Sequence, residues 1–196
     1  EMLRSLVGSE MCIRDRYEEI RDQLLLIGGL SKSHSATGIR IGFLIGPEYL
    51  IEKLTFMHAY NCICANVPAQ IACITALNEG LEAPKYMNEA YIERRDYLKA
   101  KLLSLGFELE AQPEGAFYIF PSIKRFTNND FDFCVNVLEE AHVAMVPGSS
   151  FTDIGKGYIR ISYAYEMNVL KEGMRRLELY LKEHYPNVLD LSLIHI

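Results

Sequence analysis

The sequence lacks the features that mark a membrane protein, a nucleic-acid-binding protein or a secreted protein. No apolar run approaches the ~20 residues that a membrane-spanning helix needs. The formal net charge is −6, whereas a nucleic-acid-binding face is basic. A secretory signal would need a longer apolar centre and a small-residue cleavage site, and the beginning of the chain has neither. We therefore expect a cytoplasmic protein with no nucleic-acid partner and no membrane partner.

Cysteine spacing gives no sign of a metal site. The five cysteines are an odd number, and none of them forms a C-x2-C pair. This usage is typical of reduced thiols in the cytosol and predicts no metal centre. With 196 residues, the chain is long enough to bury a sizeable core in one or two domains.

What the sequence does contain is a lysine between two short apolar runs. Lys32 follows the run at 24–27 and precedes the run at 39–45, and glycines bound both runs. Short apolar runs of this kind predict buried strands. A lysine where a buried strand ends, beside a pocket, is desolvated and loses its proton easily, which suits it to forming a Schiff base with a carbonyl. The alternative is an ordinary surface lysine with a solvated ammonium group.

Arg40 adds a phosphate-binding group to the same stretch. It lies eight residues after Lys32, and its planar, permanently charged fork is suited to holding a phosphate. An amine for a carbonyl and an arginine for a phosphate together suggest a phosphorylated aldehyde. Pyridoxal phosphate is the obvious candidate.

The rest of the chain predicts helices and then a small sheet. Helices are predicted at 49–58, 68–78, 85–104, 131–141 and 166–184, and strands at 107–110, 115–121, 143–146 and 158–163. Asp130 is predicted to cap the fourth helix. Residues 106–185 are expected to form a compact sheet with helices on one side and to bury a core of their own. His34 is interpreted as an exposed loop histidine, and Phe117 and Tyr118 as core residues.

Arg160 interrupts the apolar strand predicted at 158–163. A charge in that position costs too much free energy to be buried unpaired. An internal salt bridge, with a glutamate as the partner, is the interpretation that the residues alone favour.

The stretch S-K-S-H-S-A-T-G-I-R-I-G resembles the active-site signature of class I and II aminotransferases, S-K-x7-R-x-G. The segments E-G-A-F-Y-x-F, V-P-G-S-x-F and G-Y-x-R-I-S-Y follow in the order of that family, so the resemblance covers about residues 17–185. It implies an α/β fold, a fragment of the fold type I transferase that depends on pyridoxal phosphate. The fragment would hold the end of the large-domain sheet and the small α+β C-terminal domain. The chain resembles the C-terminal half of bacterial aminotransferases that act on aromatic amino acids or on N-acetyl-diaminopimelate precursors.

The resemblance implies an aminotransferase that moves an amino group between an amino acid and a 2-oxo acid. Lys32 would hold pyridoxal phosphate and act as the catalytic base, Arg40 would bind the cofactor phosphate, and Arg160 would bind the substrate α-carboxylate. The hydroxyl of Ser31 could also bond the phosphate. The full-length protein is expected to be a homodimer. A C–S lyase of the same fold is the enzymatic alternative, and a non-catalytic effector-binding module is the alternative from another class.

The domain organisation follows from the same resemblance. Residues 1–16 are interpreted as a non-native tail, similar to a translated sequencing adaptor, and residues 187–196 as a tail that is partly non-native. Residues 17–80 would be a remnant of the large domain, and residues 81–186 a linker helix with the small domain. In the family, an aspartate upstream of the lysine pairs with the pyridine nitrogen, and residues 1–16 contain no recognisable counterpart. The chain is therefore expected to be a fragment that is inactive alone.

Overall fold

The structure, a computed structural model, describes residues 20–192 of the chain. Its contacts form two compact units that divide between Asn88 and Glu89. The domain change expected after residue 80 and the tail expected at 187–196 stay predictions, and the tail expected at 1–16 lies outside the described residues. None of the helices at 20–192 is long and apolar enough to cross a membrane.

The first unit contains a β-hairpin followed by helices. Its elements are a 3-10 turn at Arg21–Gln23, strand β1 at Leu26–Gly29, the short helix α1 at Leu30–Ser33, a 3-10 turn at Thr37–Ile39, strand β2 at Gly42–Ile45, helices α2 at Glu48–Asn61 and α3 at Val67–Glu79, and the start of helix α4, whose full extent is Ala83–Ser104. The helices predicted at 49–58, 68–78 and 85–104 are confirmed. Asn66 caps α3, because its Oδ1 accepts a hydrogen bond from the Ala69 N–H at 3.1 Å.

The hairpin that carries Lys32 is paired as expected but is not buried. Strands β1 and β2 are antiparallel, from Leu26 opposite Ile45 to Gly29 opposite Gly42. The prediction of two buried strands is wrong for this part of the chain, since Ile27 is 84% exposed and Ile45 is 53% exposed. An apolar strand is buried only where another layer covers its face. Within residues 20–88, no such layer covers this pair.

The second unit is a small sheet packed against long helices. Besides the rest of α4, it contains strand β3 at Tyr118–Ile119, helix α5 at Asp130–Ala141, strand β4 at Val146–Pro147, 3-10 turns at Gly148–Ser150 and Asp153–Gly155, strand β5 at Ile159–Ser162, and helices α6 at Met167–His184 and α7 at Pro186–Ser192. The sheet has the order β3-β5-β4, and both pairings are antiparallel. The strand predicted at 107–110 is reduced to a single bridge between Glu108 and Ser122.

Strand β5 separates a core face from an open face. Ile159, Ile161 and Tyr163 are buried, whereas Arg160 and Ser162 between them are half-buried. This alternation places every second side chain on the same side of the sheet. The buried residues of β5 share one core with helices α4, α5 and α6, through residues that include Leu98, Leu102, Phe133, Val137, Leu170, Met174 and Leu177. The predicted sheet with helices on one side is therefore confirmed.

Candidate functional site

Lys32 lies on the single turn of helix α1, directly after strand β1. Its side chain is exposed, so the expectation of a desolvated lysine is not met by residues 20–88. The physical reason is the hairpin itself, whose apolar faces are uncovered there. A shallow cavity of about 220 Å³ in this unit is lined by other residues, including Arg21, Leu24 and Pro47.

The loop after Lys32 is held in shape by a histidine. Ser33 Oγ lies 2.9 Å from His34 Nδ1, and His34 Nε2 lies 3.2 Å from the carbonyl oxygen of Gly80. His34 is half-buried, so its interpretation as an exposed loop histidine is wrong. Its contact to Gly80 spans 46 residues of sequence, and no local pattern could have revealed it.

The same loop stores backbone strain at two residues. Ser35 and Arg40 have φ angles of 51° and 56°, in the left-handed region that side chains with a Cβ avoid. Such conformations cost roughly 1–3 kcal/mol each and occur frequently at binding sites. The Arg40 guanidinium donates a hydrogen bond from Nη1 to the Thr37 carbonyl oxygen at 2.8 Å. Among the residues that the structure describes, no carboxylate forms an ion pair with Arg40.

The donor set of this segment fits the chemistry of a phosphorylated aldehyde. Lys32 supplies a primary amine, Arg40 a permanent cation, and Ser31 a hydroxyl, all within ten residues of chain. An amine reacts with a carbonyl, and a guanidinium with neighbouring hydroxyls binds a phosphate. The segment therefore has groups that could bind the aldehyde and the phosphate of pyridoxal phosphate.

Arg160 belongs to the second unit, where it lies on β5 opposite Val146 of β4. Its guanidinium carbon is 4.3 Å from the ring centroid of Tyr118 and 4.7 Å from that of Phe151. Within residues 20–192 no carboxylate forms an ion pair with it, so the internal salt bridge favoured by the residues alone is not present there. The interpretation of Tyr118 as a core residue is also wrong, because its half-buried ring lies against Arg160.

The Arg160 side chain borders a groove of about 810 Å³ in the second unit. Apolar residues of 143–146 and of helix α6 form much of its wall, and its polar lining includes Ser162, Tyr165 and Arg176. Small-molecule sites usually have a volume of roughly 300–1,000 Å³ and a few well-placed polar groups. An unpaired guanidinium at the border of such a groove can bind a carboxylate in a bidentate manner.

Asp130 is a buried carboxylate whose role the sequence did not reveal. The predicted capping role belongs to Asn129, whose Oδ1 accepts a hydrogen bond from the Asp132 N–H at 3.2 Å. Asp130 is 3% exposed and accepts hydrogen bonds from the N–H groups of Ser149, at 2.7 Å, and Gly157, at 3.4 Å. Burial opposes its ionisation, yet these backbone donors hold the pKa of Asp130 below its ordinary value. One carboxylate thus joins the loop after β4 to the residues that precede β5.

Replacing Asp130 by alanine is expected to lower the free energy of unfolding of the second unit by about 1–3 kcal/mol, because two backbone N–H groups lose their acceptor. Urea unfolding followed by the near-ultraviolet circular dichroism of the buried tyrosines measures this change. Glu139→Ala is the matched control, since Glu139 is an exposed acid on the same helix. Equal urea midpoints for Asp130→Ala and Glu139→Ala would contradict the stabilising role assigned to Asp130.

The Asp130 carboxylate also predicts a pH dependence of stability. Its folded pKa lies below the ordinary value of 3.8, so its stabilisation is present above that value and is lost as the pH falls through the folded pKa. The unmodified chain should therefore lose stability on acidification below about pH 4, and Asp130→Ala should lose less over the same range. Parallel acid-unfolding curves for the two proteins would show that folding does not lower the pKa of Asp130.

Comparison with known proteins places these residues among aminotransferases. The family described as aminotransferase class I and II matches residues 8–177. A Bacillus subtilis protein named probable N-acetyl-LL-diaminopimelate aminotransferase is 48% identical over 161 residues, covering 82% of this chain and 41% of that protein. The aromatic-amino-acid aminotransferase 2 of Thermococcus litoralis is 38% identical, covering 83% of this chain and 42% of that protein.

The fold of the chain is also similar to the solved structures of aminotransferases. The aspartate aminotransferase of Thermotoga maritima superposes with a TM-score of 0.74 and 35% identity, over 82% of this chain and 40% of that one. The aromatic aminotransferase of Pyrococcus horikoshii superposes with a TM-score of 0.78 and 37% identity, over 83% of this chain and 44% of that one. The predicted fold is therefore confirmed, and the chain spans about 40% of the length of these relatives.

Proposed function

Because the chain belongs to the class I and II aminotransferase family, we propose that the full-length protein transfers an amino group between an amino acid and a 2-oxo acid with pyridoxal phosphate as cofactor. The observation that carries the proposal is the segment 31–40, which combines a primary amine, a serine hydroxyl and a guanidinium directly after strand β1. The names of the relatives favour amino-group transfer over C–S cleavage and over a non-catalytic effector-binding module.

Each proposed role follows from the chemistry of one side chain. Lys32 would hold the cofactor through a covalent bond at Nζ. The substrate amino group would displace Lys32 from that bond, and the released Nζ amine would then take the proton from the substrate Cα. Arg40 would bind the cofactor phosphate through its charged fork, and the Ser31 hydroxyl would donate a hydrogen bond to the same phosphate. When bound, pyridoxal phosphate supplies an electron sink for the charge that develops at Cα.

Arg160 binds the α-carboxylate of the substrate in this proposal. Arg160 is half-buried on β5, and among the described residues no carboxylate forms an ion pair with its guanidinium. Amino acids and 2-oxo acids both carry the carboxylate, so the same arginine serves both halves of the reaction.

N-Acetyl-LL-diaminopimelate is the first amino donor that we propose to assay. The relative named for that substrate is 48% identical, whereas the relative named for aromatic amino acids is 38% identical. An aromatic amino acid is the second donor to test. We further propose that the full-length protein is a cytoplasmic homodimer, and the apolar side chains exposed on the first unit, such as Tyr60 and Ile71, support an association.

Borohydride reduction of the full-length protein loaded with pyridoxal phosphate should fix a pyridoxyl group on Lys32. Peptide mapping by mass spectrometry identifies the labelled lysine, and incubation with a donor and a 2-oxo acid measures the transfer. A label on Lys53 or Lys85 would contradict the assignment of Lys32. Release of ammonia and pyruvate without formation of a new amino acid would favour the lyase instead.

A further inference from the structure

Two aromatic rings lie close to the guanidinium of Arg160. Tyr118 comes from strand β3 and lies 4.3 Å from the guanidinium carbon, and Phe151 comes from the loop after β4 and lies 4.7 Å from it. Two separate segments of the second unit therefore contact the side chain of Arg160. We call Tyr118 and Phe151 the aromatic bracket.

Contacts of their own hold both rings in place. The Tyr118 ring lies 4.3 Å from that of Phe117, and Tyr118 is paired opposite Ser162 in the sheet. The Phe151 ring is 6.3 Å from that of Phe120, edge to face. The Phe151 N–H also donates a hydrogen bond to the Gly148 carbonyl oxygen at 3.0 Å.

The loop that carries Phe151 has little freedom to move. A Cβ added at Gly148 would lie 2.2 Å from the carbonyl oxygen of Gly155, so only glycine allows the two backbones to approach this closely. Asp130 also restrains this loop, because its carboxylate accepts a hydrogen bond from the Ser149 N–H. The backbone two to three residues before Phe151 is therefore fixed by close packing and by the Asp130 hydrogen bond.

An aromatic bracket can restrict an arginine side chain without occupying the N–H groups that bind a carboxylate. Aromatic rings bind the flat faces of a guanidinium, whereas a carboxylate binds the N–H groups at its edge, in the plane. An acidic partner would occupy that edge, which a contact between a ring and the guanidinium face does not use. Restricting the side chain beforehand also reduces the conformational entropy that is lost when the carboxylate binds.

We propose that Tyr118 and Phe151 are positioning residues that hold Arg160 ready for the substrate carboxylate. The identity of the substrate in this proposal rests on the proposed function. The contacts of the aromatic bracket with Arg160 depend only on the geometry of the second unit. Its two consequences, for carboxylate recognition and for the accessibility of Arg160, can be measured separately.

Phe151→Leu in the full-length protein tests carboxylate recognition, because leucine keeps the apolar volume and removes the ring. We expect the KM for the amino acid to rise about threefold to thirtyfold, the range typical of a cation–π contact, with little change in kcat. The corresponding amine, which has the same side chain and no carboxylate, should react equally well with both proteins. Phe151→Tyr, which keeps an aromatic ring, should retain the KM of the unmodified protein. Phe131→Leu, which removes an exposed ring on helix α5, should not change the KM either.

Phenylglyoxal, a reagent specific for arginine, tests the bracket without any catalytic activity. We expect Arg160 to be modified several times faster in Phe151→Leu than in the unmodified protein, as followed by peptide mass spectrometry. An equal rate in the two proteins, or an equal loss of activity toward amino acid and amine, would overturn the proposal. Faster modification in a full-length protein that transfers no amino group would retain the bracket and reject the proposed function.

Discussion

Alanine in place of Lys32 is expected to reduce amino-group transfer by the full-length protein by at least about 10²–10⁴-fold, the usual contribution of a positioned acid–base group. The variant also loses the covalent attachment of the cofactor, so the true loss should lie at the upper end. Alanine is the best helix former, and Lys32 is exposed on helix α1. The substitution should therefore remove the amine and leave the local structure intact.

Lys53→Ala provides the matched control for this substitution. Lys53 is also an exposed lysine on a helix of the first unit, and its loss should leave turnover unchanged. A small amine such as methylamine, added to the Lys32→Ala variant, should restore part of the activity. The restored activity should increase with pH, because more of the added amine is then the free base. Full turnover by Lys32→Ala without added amine would reject Lys32 as the base.

The 196-residue chain itself is expected to fold only in part and to transfer no amino group. The second unit has a core of fully buried residues, among them Leu98, Ile159 and Leu177. The first unit leaves the apolar faces of β1 and β2 exposed, and its helices α2 and α3 expose residues such as Phe56 and Ile74. Exposed strands and apolar surfaces promote association and local opening.

Limited proteolysis with trypsin measures this difference directly. Cleavage after Lys32 and Arg40 should come early, and a resistant piece from the second unit should remain. The sequence pattern placed the start of that piece at residue 106, but the structure moves it upstream, because Leu98 and Leu102 of α4 belong to the same core. A monomeric chain with full transaminase turnover, or a second unit digested before the hairpin, would contradict the prediction.

Local patterns in the sequence were sufficient for the helices and for the main candidate residues. Lys32 and Arg40 could be identified from their spacing, which is a local feature of the sequence. The glycines and prolines that bound α2, α3 and α4 are local features as well. The strand that carries Arg160 was also predictable, because apolar residues alternate around it. Pairing register was not predictable, so Tyr118 could not be recognised as a neighbour of Arg160 on the open face.

Residues that act through distant partners could not be assigned from the sequence. Asp130 bonds backbone groups 19 and 27 residues away, and a capping position explained an acid there equally well. The layer that covers the hairpin could not be identified for a related reason. An apolar run shows that a strand can be buried, but not which other part of the protein covers it.

The alternation along β5 constrains the length of this part of the gene. Loss of one codon between Gly157 and Tyr163 would exchange the two faces of the strand, moving the guanidinium toward the core and an isoleucine out of it. Loss of two codons would keep the faces but move Arg160 along the sheet by ~6–7 Å, away from Tyr118 and Phe151. Insertions and deletions in natural relatives should therefore avoid this strand and accumulate where the chain only connects elements, as at residues 111–114.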